Sequence, residues 1–268
     1  MRLSPVIALW LTVAAVECAA QPWNIPNGPK FEGIEHGSFT SRVLGVEVGF
    51  NVWLPPGYAT GHERYPVLYF LPGNGGDEYS CVSPVPRRLR DAVAAKTLPP
   101  VICVFCNPGN GTFRDNRTPG VLGETMFVRD FVPTIDTRYR TVAAQQGRAV
   151  LGFSMGGGGA MRFVLGHPEL FCAGVGWGNP GLRAEEPAMQ KLDAVKQSGA
   201  GIMLVAGKED APQGQKRAPL FVKALADKGI PAILKTPEGV RHSVEQYFEA
   251  SWPDAMKFLS ERLRPQGE

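Results

Sequence analysis

A serine set among glycines, "GFSMGGGG" at residues 152–159, carries the clearest chemical content in this sequence. The pattern Gly152-x-Ser154-x-Gly156 directly follows the apolar run "RAVLGF" and precedes "GGAMRFVLG", which has helical spacing. A sharp strand-to-helix turn of this kind lifts a hydroxyl above the carboxyl ends of the strands, where open α/β sheets bind ligands. Such a turn is crowded, and Gly152, Gly156 and Gly157 supply the small neighbours it needs. The positive end of the following helix favours negative charge developing there. Ser154 is therefore a candidate nucleophile.

A serine hydroxyl is a weak nucleophile near neutral pH and needs an adjacent base. The chain has four histidines. His36 and His62 lie in the N-terminal third, and His167 ends the helix after the turn, where a structural role is expected. His242, in "PEGVRHS", follows the last expected strand and precedes the last expected helix, which places it on the side of the sheet that carries Ser154. An acidic partner must orient that base and stabilise its protonated form. Glu209 and Asp210, in "MLVAGKEDAP", follow a buried strand on the same side; Asp210 is the first choice and Glu209 the alternative. The order Ser154, Asp210, His242 is that of an α/β-hydrolase. Charge on a tetrahedral intermediate calls for backbone donors, and Met155 N–H and Asn74 N–H, the latter in "LPGNGG", are the candidates.

Taken together, "NVWLPPGY", "YPVLYFLPGNGG", "ETMFVRDFVPTIDTRYRT", "RAVLGFSMGGGGAMRFVLGHPELF", "GKED" and "RHS" resemble the esterase D-like branch of the α/β-hydrolases. That branch includes feruloyl and acetylxylan esterases, siderophore esterases, S-formylglutathione hydrolases and mycolyltransferases. The resemblance implies Ser154 as nucleophile, Asp210 as acid, His242 as base, and Asn74 and Met155 as oxyanion donors. Two positions depart from the branch: Pro72 stands where His usually precedes the loop glycine, and Val244 where many members have Trp. Glu124, in "GETMF", matches an acidic residue that the branch carries at the start of a helix facing the site; favourable charge at a helix N-terminus is the alternative reading. Trp177 and Phe113, read as loop residues beyond strand ends, are candidates to line an acyl or aryl pocket, with a core or lid role as the alternative.

Strands and helices must alternate to place these groups at one rim. The strand readings are "SFTSRVLG", "EVGFNVWLPPGY", "YPVLYFLPGNGG", "VICVFCNP", "GRAVLGF", "AGVGWGN", "GIMLVAGKED" and "PAILKTPE". Helical spacing appears in "RRLRDAVAAKTL", "ETMFVRDFVPTIDTRYR" (interrupted at Pro133), "GGAMRFVLGH", "KRAPLFVKALADKG" and "SVEQYFEASWPDAMKFLSERL". This alternation predicts an α/β fold, a mostly parallel sheet covered by helices on both faces. No internal linker divides residues 21–268, which read as a single domain.

The 268 residues carry a net charge of +3 with no basic run, which disfavours nucleic acid as a partner. "MRLSPVIALWLTVAAVECAA" reads as a cleavable signal peptide over residues 1–20, with an apolar run too short to span a bilayer. Cleavage there leaves Cys81, Cys103, Cys106 and Cys172, either buried thiols or one disulfide. Cys103 and Cys106, three apart on a strand, face opposite ways, which argues against a metal or redox pair. The expectation is a secreted or periplasmic serine esterase acting on a small-molecule or polysaccharide ester, with no cofactor, metal or membrane span. An acyltransferase, a siderophore or peptide-ester hydrolase, and a non-catalytic module on the same scaffold are the alternatives.

Overall fold

The computed structural model describes residues 22–109, 111–115 and 121–264. The signal-peptide reading of residues 1–20 falls outside them.

Eight strands form one sheet: β1 (Ile34–Thr40), β2 (Glu47–Trp53), β3 (Val67–Leu71), β4 (Ile102–Cys106), β5 (Arg148–Phe153), β6 (Ala173–Trp177), β7 (Gly201–Val205) and β8 (Ala232–Lys235). Their spatial order is β1-β2-β4-β3-β5-β6-β7-β8. β1 and β2 form an antiparallel ribbon, and β2 runs antiparallel to β4. From β4 to β8 every neighbouring pair is parallel. The central strands are buried along their whole length, as their unbroken apolar runs require of strands covered on both sides.

Side-chain alternation sorts these strands into two cores. Val67, Tyr69 and Leu71 of β3 and Ile102, Val104 and Cys106 of β4 join one cluster. Leu68, Phe70, Cys103 and Phe105 join the other. The expected opposition of Cys103 and Cys106 is thus observed. Helices α1 (Pro84–Ala94) and α7 (Val244–Ser260) cover the second cluster. The first is covered by α3 (Val132–Arg138), α4 (Met155–Gly166), α5 (Leu192–Ser198) and α6 (Pro212–Asp227). Cys81, Cys103, Cys106 and Cys172 are all free thiols, so the disulfide alternative is not realised among the described residues.

Two elements differ from their sequence readings. The expected strand "SFTSRVLG" ends at Thr40, and the chain turns over residues 41–46. The turn is held by buried Asp130, whose carboxylate accepts from Ser41 Oγ at 2.6 Å and Val43 N–H at 2.9 Å. The helix expected around Pro133 is in three pieces: α2 (Gly123–Met126), a π-helical stretch (Phe127–Phe131) and α3. Pro133 lacks an N–H, so a regular i→i−4 ladder cannot pass through it. The Val132 N–H reaches instead to the Phe127 carbonyl, five residues back. No helix among the described residues is long and apolar enough to cross a membrane.

The loop after β3 is fixed from below by Glu78, which is fully buried. Its Oε1 accepts from Ile25 N–H at 2.7 Å and its Oε2 from Asn107 Nδ2 at 2.5 Å. Asn51 Nδ2 donates to the Glu78 carbonyl at 3.0 Å. One carboxylate therefore ties the N-terminal lead and the β4 loop to the turn that carries Asn74. Glu78→Gln turns one acceptor oxygen into a donor and leaves a buried N–H without a partner. Urea unfolding is expected to show a loss of about 1–3 kcal/mol, and an unchanged midpoint would contradict this anchoring role.

Candidate active site

Ser154 joins β5 to α4 with φ 55° and ψ −115°, a left-handed conformation that a non-glycine residue adopts only under constraint. Its N–H donates to the Trp177 carbonyl at 2.7 Å. Its own carbonyl accepts from Gly158 N–H and from Asn179 Nδ2, the latter at 3.0 Å. The glycines beside it are demanded by space. A Cβ on Gly156 would sit 2.1 Å from the Leu71 carbonyl oxygen, and one on Gly152 2.5 Å from the Gly156 backbone. The elbow is therefore pressed against the carboxyl end of β3.

The three residues expected to act together do meet. His242 Nε2 lies 2.9 Å from Ser154 Oγ, and His242 Nδ1 lies 2.8 Å from Asp210 Oδ2. An ionised carboxylate can only accept, so the imidazole carries its proton on Nδ1 and donates to Asp210. Nε2 is left as acceptor for the serine hydroxyl. Each residue comes from a different strand end: Ser154 after β5, Asp210 after β7 and His242 after β8. Glu209, the alternative acid, is exposed and has no described contact with His242.

The His242 side chain is 48% exposed and that of Asp210 only 12%. The imidazole thus stays within reach of water while the carboxylate is shielded. Burial by itself would raise the Asp210 pKa. Hydrogen bonds from Tyr247, His242 and the Ala211 N–H outweigh it and hold the carboxyl below its ordinary value. The Tyr247 O–H donates to Asp210 Oδ2 at 2.6 Å and accepts from Gly207 N–H at 2.8 Å. Phe153 packs its ring 4.8 Å from that of His242.

The oxyanion candidates flank the serine. Met155 is the first residue of α4, one of the positions whose N–H has no partner within the helix. Asn74 is exposed in the turn closed by the bond from Gly76 N–H to the Gly73 carbonyl. A Cβ on Gly73 would lie 3.5 Å from Ser154 Cβ, so this loop and the elbow are in contact.

The substrate-lining candidates are not brought to the site. Trp177 is the last residue of β6 rather than a loop residue, and it is fully buried. Its Nε1 donates to Ser251 Oγ at 2.9 Å and its ring stacks on Trp252. Phe113 is also buried, edge-on to Phe163 in the first core cluster. Both take the core role offered as their alternative, because each has apolar partners on elements distant in sequence. Glu124 lies in the first turn of α2 and pairs with His167 Nε2 at 2.9 Å. His167 caps the far end of the 12-residue α4, about 18 Å from Ser154 along the helix. Glu124 therefore does not face the site.

Sequence reasoning missed Tyr247, Asn179 and Phe153. Asn179 had a weak signal, since "NPG" marks a turn next to a strand end. Tyr247 had none, being one aromatic residue in an amphipathic helix. Tyr247→Phe removes a donor from the ionised carboxylate and the acceptor of Gly207 N–H. With its pKa depressed in the folded state, Asp210 contributes stability above its unfolded pKa, and this is lost as pH falls through the folded value. The variant raises the folded value, so acid unfolding followed by tryptophan fluorescence is expected to begin at higher pH than in wild type. An unshifted acid transition would rule this out.

Comparison with known proteins agrees with this architecture. The family described as "Putative esterase" matches residues 41–256. Esterase Rv1288 of Mycobacterium tuberculosis (strain ATCC 25618 / H37Rv) is 34% identical over 134 residues, which is 47% of this chain and 28% of that protein. The endo-1,4-beta-xylanase/feruloyl esterase of Xylanibacter ruminicola is 29% identical over 220 residues, 78% of this chain and 29% of that protein. The chain thus spans under a third of the length of these relatives. A solved ferulic acid esterase superposes with a TM-score of 0.74 at 23% identity, over 86% of this chain and 98% of its own. The chain belongs to this esterase family, in the esterase D-like branch of the α/β-hydrolases.

Proposed function

We propose that the chain hydrolyses carboxylic esters through a covalent acyl-enzyme on Ser154. The observation that carries this reading is the unbroken hydrogen-bond chain from Ser154 Oγ through His242 to Asp210, with legs of 2.9 and 2.8 Å. His242 Nε2 takes the serine proton as Oγ attacks the ester carbonyl, and Asp210 stabilises the imidazolium that forms. The oxyanion is received by the N–H groups of Met155 and Asn74, where one donor typically lowers the barrier by about 2.7–4 kcal/mol. Collapse expels the alcohol, protonated from His242. The same imidazole then activates a water to release the acid and restore Ser154.

The substrate proposed is an ester on plant cell-wall polysaccharide, a feruloyl or acetyl group. The name of the Xylanibacter relative supports that choice. An exported protein fits such a substrate, with residues 1–20 as a cleaved signal peptide and 21–268 as the single catalytic domain.

Ser154→Ala tests the reading. Hydrolysis of p-nitrophenyl acetate is expected to fall below roughly a thousandth of the wild-type kcat/KM. Near-normal turnover by a folded variant would remove Ser154 from the mechanism.

A further inference from the structure

Beside the triad, the loop after β6 opens into a second cleft of about 540 Å³ whose charged lining the ester chemistry does not use. Arg114 enters from the segment after β4, Arg162 from α4, Arg183 from the loop itself and Arg217 from α6, against Glu185 and Glu186. Glu186 serves two guanidiniums at once, Arg114 at 2.7 Å and Arg162 at 2.9 Å. Glu185 lies 3.9 Å from Arg183. Arg217 donates to the Gly181 carbonyl at 3.1 Å and forms no ion pair among the described residues. Four guanidiniums thus meet two carboxylates, and the cleft carries an excess of two positive charges. Arg114 and Arg183 remain 47% and 66% exposed, which leaves donors turned to solvent. The volume suits a bound small molecule or a segment of one.

This cleft adjoins the elbow that carries Ser154. Asn179 and Pro180 line it and also line the small cavity of about 100 Å³ beside Asp210 and His242. The same Asn179 holds the Ser154 carbonyl. Gly158, on the first turn of α4, forms part of the floor. A substrate with its ester at Ser154 therefore reaches toward the guanidiniums by extending past Asn179 and Pro180.

We propose that the cleft is a subsite for a carboxylate carried by the substrate away from the scissile ester, so that the enzyme prefers anionic esters. The proposal rests on the esterase reading and names the substrate class more closely. Guanidinium forks match the two oxygens of a carboxylate, and charge-assisted bonds of this kind are about twice as strong as neutral ones. Walls of one sign also raise the local concentration of an oppositely charged substrate.

The test uses two matched pairs with the full chain. 4-Nitrophenyl hexanoate is set against mono-4-nitrophenyl adipate, and phenyl butyrate against 4-carboxyphenyl butyrate, each corrected for its rate of alkaline hydrolysis. At low salt the anionic member of at least one pair is expected to show roughly tenfold higher kcat/KM, as one charge-assisted contact provides. The ratio shrinks as sodium chloride is added. It collapses toward one in the double variant Arg183→Gln, Arg217→Gln, whose side chains are exposed and partly exposed and belong to neither core cluster. Ratios near one in both pairs, or a preference that survives the double variant, would overturn the subsite. Wild-type turnover of the neutral members reports the esterase reading on its own, so failure of one is distinguishable from failure of the other.

Discussion

The close approach of α4 to the end of β3 is the constraint on which the rest of the site depends. Gly156 lies against the Leu71 carbonyl, and only a residue without a side chain fits there. That contact forces the chain to reverse within one residue, and Ser154 takes the left-handed conformation as a result. Strain of this kind costs on the order of 1–3 kcal/mol and persists only where its surroundings over-determine it. Here the Trp177 carbonyl, the Asn179 amide and a helix buried almost end to end do so. Relaxing the turn would swing Oγ away from His242, so packing energy in the core is what sets the geometry at the rim.

From the serine outward, each polar group is positioned by the next. Asp210 orients His242, Tyr247 and the Ala211 N–H orient Asp210, and Gly207 N–H orients the Tyr247 hydroxyl. The chain of bonds runs from an exposed edge to a fully buried phenol, with protein donors replacing water as it descends. An anion in this setting is held ionised by aimed donors rather than by solvent. The proposed proton relay therefore has a rigid end in the core and a free end at the surface.

The parts legible in the sequence are those encoded by local pattern. "YPVLYFLPGNGG" and "GRAVLGF" are buried strands because their apolar runs admit little else, and the order Ser154, Asp210, His242 followed from where strands end. What escaped depended on partners far along the chain. Ser41 turns the chain because Asp130, 89 residues on, accepts its hydroxyl. Trp177 is a core residue because Ser251 and Trp252 wait for it. The short α5 and the helical turn at Pro187–Lys191 were not anticipated, lacking both length and a repeated apolar stripe. Aromatic residues near strand ends look alike in sequence whether they face a ligand or a helix.

The position of Tyr247 in the final helix has a consequence for biosynthesis. The contacts that hold the elbow and its glycines draw on nothing beyond Asn179. Asp210, His242 and Tyr247 all follow residue 200, and the tryptophan pair closes only with residue 252. A chain made only as far as Asn179 would hold Ser154 without His242 and Asp210, the hydrogen-bonded side chains that complete the proposed relay.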